Sequence, residues 1–333
     1  MNAREDSPTP EILSSNTIDQ VAYERNKRIG RGMNFGNALE APNEGDWGFV
    51  IRESYVEAIA QAGFDSIRIP IRWSAHVSDA APYTIDPDFL DRIDEVVGWC
   101  MDRNLLAIIT IHHFEELYDD PDDPVNQNKI LAIWDQLTHH YLTYDHDQLI
   151  FEPLNEPHNN LTSAKWNALM PTLIRAVRQT DTDRTLIIDV SNWAHHIYLK
   201  DLIIPEEERN VIVSVRYYLP YPFTHQGGHW AEGSEAWLGT TWRATEEETA
   251  VVRADMEMIR NWSESHHRPI TVGEFGAIVD ADHESRVIWT DYVRSQFEEN
   301  GFSWCYFDFG YIFKAYDIDN NNWLPGFKEA LVP

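Results

Sequence analysis

LIFEPLNEPHNNLTSAKWNALMPTLIRAVRQ, residues 149–179, holds the unit whose repetition decides the fold. Its first six residues form a short apolar run of strand type, and from Ala164 to Gln179 apolar side chains recur at three- and four-residue spacing, the period of a helix with one buried face. Thr162 and Ser163 stand just ahead of that run, where capping side chains belong. The same order of strand, loop and helix continues in both directions. Strand-like segments lie at 31–36 (RGMNFG), 66–71 (SIRIPI), 106–112 (LAIITIH), 149–154 (LIFEPL), 186–190 (LIIDV), 211–218 (VIVSVRYY), 270–275 (ITVGEF) and 302–309 (FSWCYFDF). Helix-like stretches include 52–62, 88–103, 129–143, 164–179, 246–265 and 283–299, with Asp86-Pro87 opening the second and Gly63 and Gly301 following the first and last of these.

Near-continuous apolar strands joined by helices indicate a parallel sheet covered on its faces. Eight such units fit an α/β fold of the single (β/α)8 TIM barrel type better than a doubly wound sheet, whose first strand would lead into a glycine-rich phosphate turn; NFGNALE lacks G-x-G-x-x-G. No Pro/Gly/Ser-rich linker divides the chain. The expected organisation is a loose polar arm over residues 1–15 and one barrel domain over 16–333. The longest connection, residues 219–245, is rich in Trp, Gly, His and Glu and is expected to wall the substrate site.

Composition narrows the partners. The chain has 333 residues, 43% hydrophobic, 24% charged and 12% aromatic, with a formal charge of −29. No run approaches the roughly 18 apolar residues of a membrane span. So acidic a surface repels phosphate, which argues against nucleic acid and anionic membranes and suits a neutral partner. Arginine outnumbers lysine, 20 to 6, which fits a salt-rich or acidic medium and equally the ordinary acidity of many enzymes. Cys100 and Cys305 each lie in an apolar segment and read as buried free thiols. The sequence begins without the basic and apolar regions of a signal peptide, and a trimmed leader would look the same, so localisation is left open.

On a barrel of this kind the chemistry sits at the C-terminal ends of the strands. Two glutamates stand there: Glu156, in LNEP after the fourth strand, and Glu274, in VGEFGA at the end of the seventh. One glutamate on a loop is ordinarily just solvated. Two at strand ends on opposite sides of a barrel can converge across its mouth, and paired carboxylates are what glycoside hydrolysis uses, one to protonate the leaving oxygen and one to attack or to activate water. A retaining geometry would put them about 5–5.5 Å apart. No Ser or Cys sits in a nucleophile elbow, and no Cys/His set has zinc spacing.

The segments GRGMNFGNALEAPNEGDWG (30–48), SIRIPIRWSAH (66–76), ITIHHFEEL (109–117), FEPLNEPHNNLT (151–162), YYLPYPFTHQG (217–227) and ITVGEFGA (270–277) together resemble glycoside hydrolase family 5, and most of all its thermophile-type endoglucanases, some of which also cut β-mannans. The resemblance covers about residues 20–332. It implies a retaining, endo-acting hydrolase of β-1,4-glucan, with glucomannan or mannan as further substrates, no cofactor and no metal. It implies Glu156 as acid/base and Glu274 as nucleophile, Arg68 and Tyr218 holding the nucleophile, and Asn155 on the sugar 2-hydroxyl. His112 and His113 would line the subsite beside the cleaved bond, Asn37 and Glu40 would contact sugar hydroxyls, and Trp193 and Trp237 would be stacking platforms. Physical reasons accompany these roles. A guanidinium beside Glu274 favours its ionised, attacking form, whereas Glu156 has to be protonated at rest, which burial or the charge of Glu274 would bring about. The partner expected is a β-linked polysaccharide or oligosaccharide, and the chain is expected to be a monomer.

Two positions depart from the family. Arg216 stands where a histidine is expected two residues before the tyrosine of the sixth strand, and Phe307 where a platform tryptophan is expected at the end of the eighth. A guanidinium there is expected to lower the pKa of Glu156 and weaken it as a proton donor. Three readings follow: an enzyme working at lower pH or with Arg216 paired to another acid such as Asp308 or Glu152; a shifted substrate, an acidic or substituted glycoside; or a weakly active or noncatalytic glycan-binding barrel. Among weaker signals, the four His-His pairs read poorly as a metal site, and the acidic run from Glu115 to Asp123 reads as a solvated loop rather than a calcium site.

Overall fold

The computed structural model describes residues 15–333, with side chains from Gln20 onward. The arm expected over 1–15 lies, apart from Ser15, outside the described residues. Eight parallel strands close into a barrel in sequence order: β1 (Arg31–Asn34), β2 (Ser66–Ile71), β3 (Leu106–Ile111), β4 (Leu149–Glu152), β5 (Leu186–Asp189), β6 (Val211–Tyr217), β7 (Ile270–Phe275) and β8 (Ser303–Tyr306), with β8 returning to β1. The fold is the (β/α)8 barrel that the alternation predicts. The strand-like segments at 66–71 and 270–275 match to the residue, and the others run one to three residues past the ladder at an end.

Alternation along each strand sorts the core into two layers. Outward-facing residues such as Ile67, Ile69, Ile109, Phe151, Ile188, Val213, Val272 and Trp304 pack under the surrounding helices. Inward-facing Leu106, Ile108, Ile150, Ile187, Ile212 and Cys305 fill the lower barrel, and Ile29 joins them from a helix, Ser15–Ile29, that the sequence pattern did not reveal. Ser66 Oγ donates to the Ile29 carbonyl at 2.7 Å, so the end of that helix is fastened under β2. One layer up, the same inward positions turn polar: Asn34, Arg68, Thr110, Glu152, Asp189, Ser214 and Arg216, all buried. This polar layer is the floor of the site.

Several helices end as their sequences direct, although Thr162, at the N-cap of Ser163–Arg178, makes no side-chain cap bond. Asp86 accepts from Asp88 N ahead of Pro87 and the helix Pro87–Asp102, Thr245 and Glu248 form a reciprocal cap on Glu246–His266, and Gly63 closes Glu53–Ala62 at φ 96°. Two expectations are corrected. The helix placed at 129–143 runs from Pro124 to His140, opened by Asp123. The acidic run from Glu115 is not simply a solvated loop: Glu115–Asp119 is a helical turn that buries Leu117 and Tyr118, because two apolar residues one position apart from the acids face the core.

Among the described residues no helix is long and apolar enough to cross a membrane. Cys100 and Cys305 are both buried free thiols.

Candidate active site

Glu274 comes off the end of β7 and is 5% exposed. Arg68 Nη1 donates to its Oε1 at 2.7 Å and Tyr218 Oη donates to its Oε2 at 2.9 Å, so both carboxylate oxygens are held from opposite sides. Burial, with Glu274 and Glu156 behind it, keeps the Tyr218 hydroxyl well above its usual titration range, so it remains a donor. Arg68 is itself fixed. Its Nε and Nη2 make a bidentate pair with Glu152 at 2.7 and 2.8 Å, and Nη1 also reaches Asn34 Oδ1 at 2.9 Å. Glu152, whose charge burial opposes, is nevertheless kept below the usual carboxylate range by Arg68 and Arg216.

Glu156 lies on the loop after β4 with φ 43°, a left-handed backbone that a glutamate adopts only when its surroundings hold it there. Burial pushes its carboxyl up to about 8, the charges of Glu274 and Asp189 adding to the effect and Arg216 and Arg68 opposing it. The expected lowering by Arg216 is therefore present but outweighed. A carboxyl pushed up to about 8 faces one whose two oxygens are each held by a donor, the asymmetry that one proton donor and one nucleophile need.

Arg216 stands between them. A register shift between Val215 and Arg216 sets its Cα opposite that of Glu274 in the β6–β7 ladder. Its Nε donates to Glu156 Oε1 at 3.1 Å and lies 3.4 Å from Glu274 Oε1. One nitrogen thus touches an oxygen of each carboxylate and brings the two groups to the same guanidinium. Nη1 goes to Asp189 at 3.2 Å and Ser214 Oγ at 2.6 Å, and Nη2 to Asp189, Glu152 and Asn155 at 2.8, 3.0 and 2.7 Å. Of the two acids expected to pair with Arg216, Glu152 does. Asp308 does not: buried at the end of the barrel wall after β8, it accepts from Asn37 Nδ2 at 2.9 Å and from the Tyr311 amide at 2.7 Å. Gly273 makes room for the guanidinium, since a Cβ there would come 2.3 Å from Nη1.

Asn155 Oδ1 accepts from both Arg68 and Arg216 at 2.7 Å, which turns its amide nitrogen toward His112 Nε2 at 3.3 Å. His112 is held neutral, burial and then His113 and the two arginines pushing its pKa well below the usual value. Its Nε2 therefore accepts, and its proton sits on Nδ1, a buried donor with no protein partner. Nearby Glu40, 2% exposed, has an equally unpartnered Oε2, and burial pushes its carboxyl up to about 7. Glu40, His112 and His113 offer ligand atoms within 4.8 Å of one another, a donor set by type for zinc. The tautomer argues against that use, because His112 presents a hydrogen where a metal needs a lone pair. An unpaired donor beside an unpaired acceptor suits an alcohol, which fills both roles.

His113, at φ 52°, is about a third exposed and meets the edge of Trp47 at 5.8 Å. Asn37, at φ 65°, is tied to Asp308. Trp193 is half exposed in a turn whose backbone is left-handed at Asn192, Trp193 and Ala194, and its ring stacks on His158 at 4.9 Å. Trp237 meets Tyr221 edge-on at 5.7 Å, in the long connection after β6. Phe307 packs on Phe313 at 5.8 Å, and Phe313 in turn lies 6.1 Å from Trp230. Trp230, 45% exposed, and Tyr221, 39% exposed, are aromatic faces the sequence reading passed over, as is Asp189.

The family model "Cellulase (glycosyl hydrolase family 5)" matches residues 30–312. The chain belongs to glycosyl hydrolase family 5. Within the family it is 33% identical over 311 residues to Endoglucanase H of Acetivibrio thermocellus, a match that takes in 93% of this chain and 32% of that protein. The chain thus spans about a third of the length of that curated relative. Among solved structures, Cel5A of Thermotoga maritima in complex with mannotriose superposes with a TM-score of 0.91 at 43% identity, covering 93% of this chain and 100% of that one. The same protein with cellobiose gives 0.91 at 43%, again over 93% and 100%. Family 5 membership was legible in the ordered motifs; Asp189 was not, because an aspartate ending LIID reads as one more acid in an acidic chain.

Proposed function

We propose that this family 5 protein is an endo-acting, retaining β-1,4-glucan hydrolase that also accepts glucomannan or mannan. The observation that carries the reading is the asymmetry of the two glutamates: Glu274 is gripped by Arg68 and Tyr218, and Glu156 opposite it is pushed up to about 8. Glu274 attacks the anomeric carbon while Glu156 gives its proton to the departing glycosidic oxygen. With Glu274 esterified, its charge no longer raises the pKa of Glu156, which falls and lets the carboxylate take a proton from water as that water attacks the same carbon and releases Glu274. Two inversions restore the starting configuration. Asn155 supplies an amide hydrogen at the floor of the site, beside the buried, unpaired polar atoms of His112 and Glu40. Trp193, Trp230 and Tyr221 offer exposed π faces to pyranose rings.

The substrate range follows from the solved neighbours, whose complexes hold cellobiose and mannotriose. Against an acidic glycoside stands the state of Arg216: its N–H groups are all directed at protein acceptors, leaving none for a substrate carboxylate. Against a binding-only barrel stands the pairing of a raised acid with a held nucleophile. Proton NMR of cello-oligosaccharide hydrolysis tests the proposal. The first-formed reducing end should be the β-anomer, mutarotating later; α-anomer first, or no hydrolysis of glucan, glucomannan or mannan, would overturn it.

A further inference from the structure

We propose that Asp189, at the tip of β5, is the positioning residue of the acid/base: its one carboxylate fixes the main chain of Glu156 directly and the side chain of Glu156 through Arg216. This rests on the assignment of Glu156 as acid/base. The ladder between β4 and β5 comes down to the single pair Phe151 and Leu186, so the loop that carries Glu156 is held by backbone pairing on its β3 side, where the Asn155 amide donates to the Ile111 carbonyl at 2.8 Å, but not on its β5 side. A side chain closes the seam instead. The Glu156 amide donates to Asp189 Oδ2 at 2.8 Å, which tethers a residue whose φ of 43° needs a tether. The same oxygen accepts from Arg216 Nη2 at 2.8 Å and the other from Nη1 at 3.2 Å, a bidentate grip that aims Nε at Glu156 Oε1. Asp189, Arg216 and Glu156 thus form a closed ring of contacts anchored on three successive strands or their loops. Asp189 is fully buried, and its own position is set by β5 and by Trp166, whose indole donates to its carbonyl at 2.9 Å.

The sign of its effect follows from the groups around Glu156. These are Glu274 from β7, Arg216 from β6, Tyr218 just after it, Asp189 from β5, Arg68 from β2, Tyr118 from the turn after β3, Tyr221 from the connection after β6, and His158 on the same loop. Burial pushes the Asp189 carboxyl itself up to about 7 against the pull of Arg216, so around the basic limb it is largely charged; replacing it by asparagine keeps an acceptor for the Glu156 amide but removes a negative charge that raises the Glu156 pKa. It also frees Arg216 to lean on Glu156. Both changes lower the Glu156 pKa, so the proton donor is lost at lower pH. Replacing Arg216 by glutamine acts in the opposite direction, and the double variant, which removes one charge of each sign, should fall between.

The test compares the full chain with Asp189→Asn, Arg216→Gln and the pair, each first checked for an unchanged melting transition. For Asp189→Asn, kcat on a cello-oligosaccharide should fall by about tenfold or more with KM within about twofold, and the basic limb should move to lower pH. An aryl glycoside whose leaving group needs no proton should be hydrolysed at close to the native rate in the first step. The double variant should recover part of the loss. Equal losses on both substrates would make Asp189 merely structural and overturn the proposal, as would an unmoved basic limb. Carbon NMR titration of the Glu156 carboxyl, assigned by its disappearance in Glu156→Gln, reads the same displacement without turnover. If the native protein hydrolyses nothing, the functional reading falls, while an unchanged Glu156 midpoint in Asp189→Asn sinks this proposal alone.

Discussion

Arg216 Nε donates to Glu156 Oε1 across 3.1 Å, so a permanent cation lies against the carboxyl proposed as the proton donor. Burial and the neighbouring carboxylates still win, and the acid is pushed up to about 8. Activity that needs the protonated acid is present below that value and lost as pH rises through it. The pH profile of kcat/KM, which reports the free protein, should therefore show a basic limb near 8, and Glu156→Gln should leave no such limb in the residual rate.

Glu156→Ala separates the two halves of the reaction. Without a proton donor, hydrolysis of an unactivated glycosidic bond should fall by about 10²–10⁴-fold. A dinitrophenyl glycoside, whose leaving group departs unprotonated, should still glycosylate Glu274 at a rate close to native, visible as a burst of phenolate. Loss of that burst would place Glu156 on the nucleophile side.

Tyr218→Phe removes the 2.9 Å donor to Glu274 Oε2 and leaves the ring packed between His225 and Phe313. A hydrogen bond to a charged group contributes about 1.5–3 kcal/mol, so kcat/KM should drop by roughly 10- to 100-fold with little change in melting temperature.

Two glycines make opposite predictions under one substitution. A Cβ at Gly273 would sit 2.3 Å from Arg216 Nη1 and 2.7 Å from Ser214 Oγ, so Gly273→Ala should push the guanidinium off its acceptors and destabilise the fold by about 1–3 kcal/mol in urea titration. Gly98, inside the helix Pro87–Asp102, has open space around its would-be Cβ. Gly98→Ala should stabilise by about 0.5–1 kcal/mol. Equal effects would mean that Gly273 does not gate the Arg216 position.

What could be read in advance depended on distance along the chain. The barrel was legible because each strand and helix declares itself locally, by a short apolar run or by three- and four-residue spacing. Glu156 and Glu274 were legible because strand endings on this fold point at one place, and the motifs around them gave the family. The surroundings of Arg216 were not. They depend on a one-residue register shift in β6 against β7, on a glycine in the neighbouring strand and on Asp189, three features with no local signature. Arg216 in the sequence is therefore an isolated cation that threatens the acid. In the fold it is a cation shared among Asp189, Glu152, Glu156 and Glu274, and its pull on the acid is divided accordingly. The helix Ser15–Ile29 was missed for a similar reason: its use is to bring Ile29 under the barrel, a contact made far from its own sequence.

In the proposed reaction Glu274 attacks the anomeric carbon and Glu156 moves the proton. Incubating the protein with an activated 2-fluoro-cellobioside and mapping the product by mass spectrometry tests this most directly, since the fluorine slows release of the glycosyl-enzyme. One sugar should appear on the peptide containing Glu274 and none on that containing Glu156, with activity returning as the adduct turns over. A native protein that binds the reagent but carries no adduct, or carries it on any other residue, would contradict it.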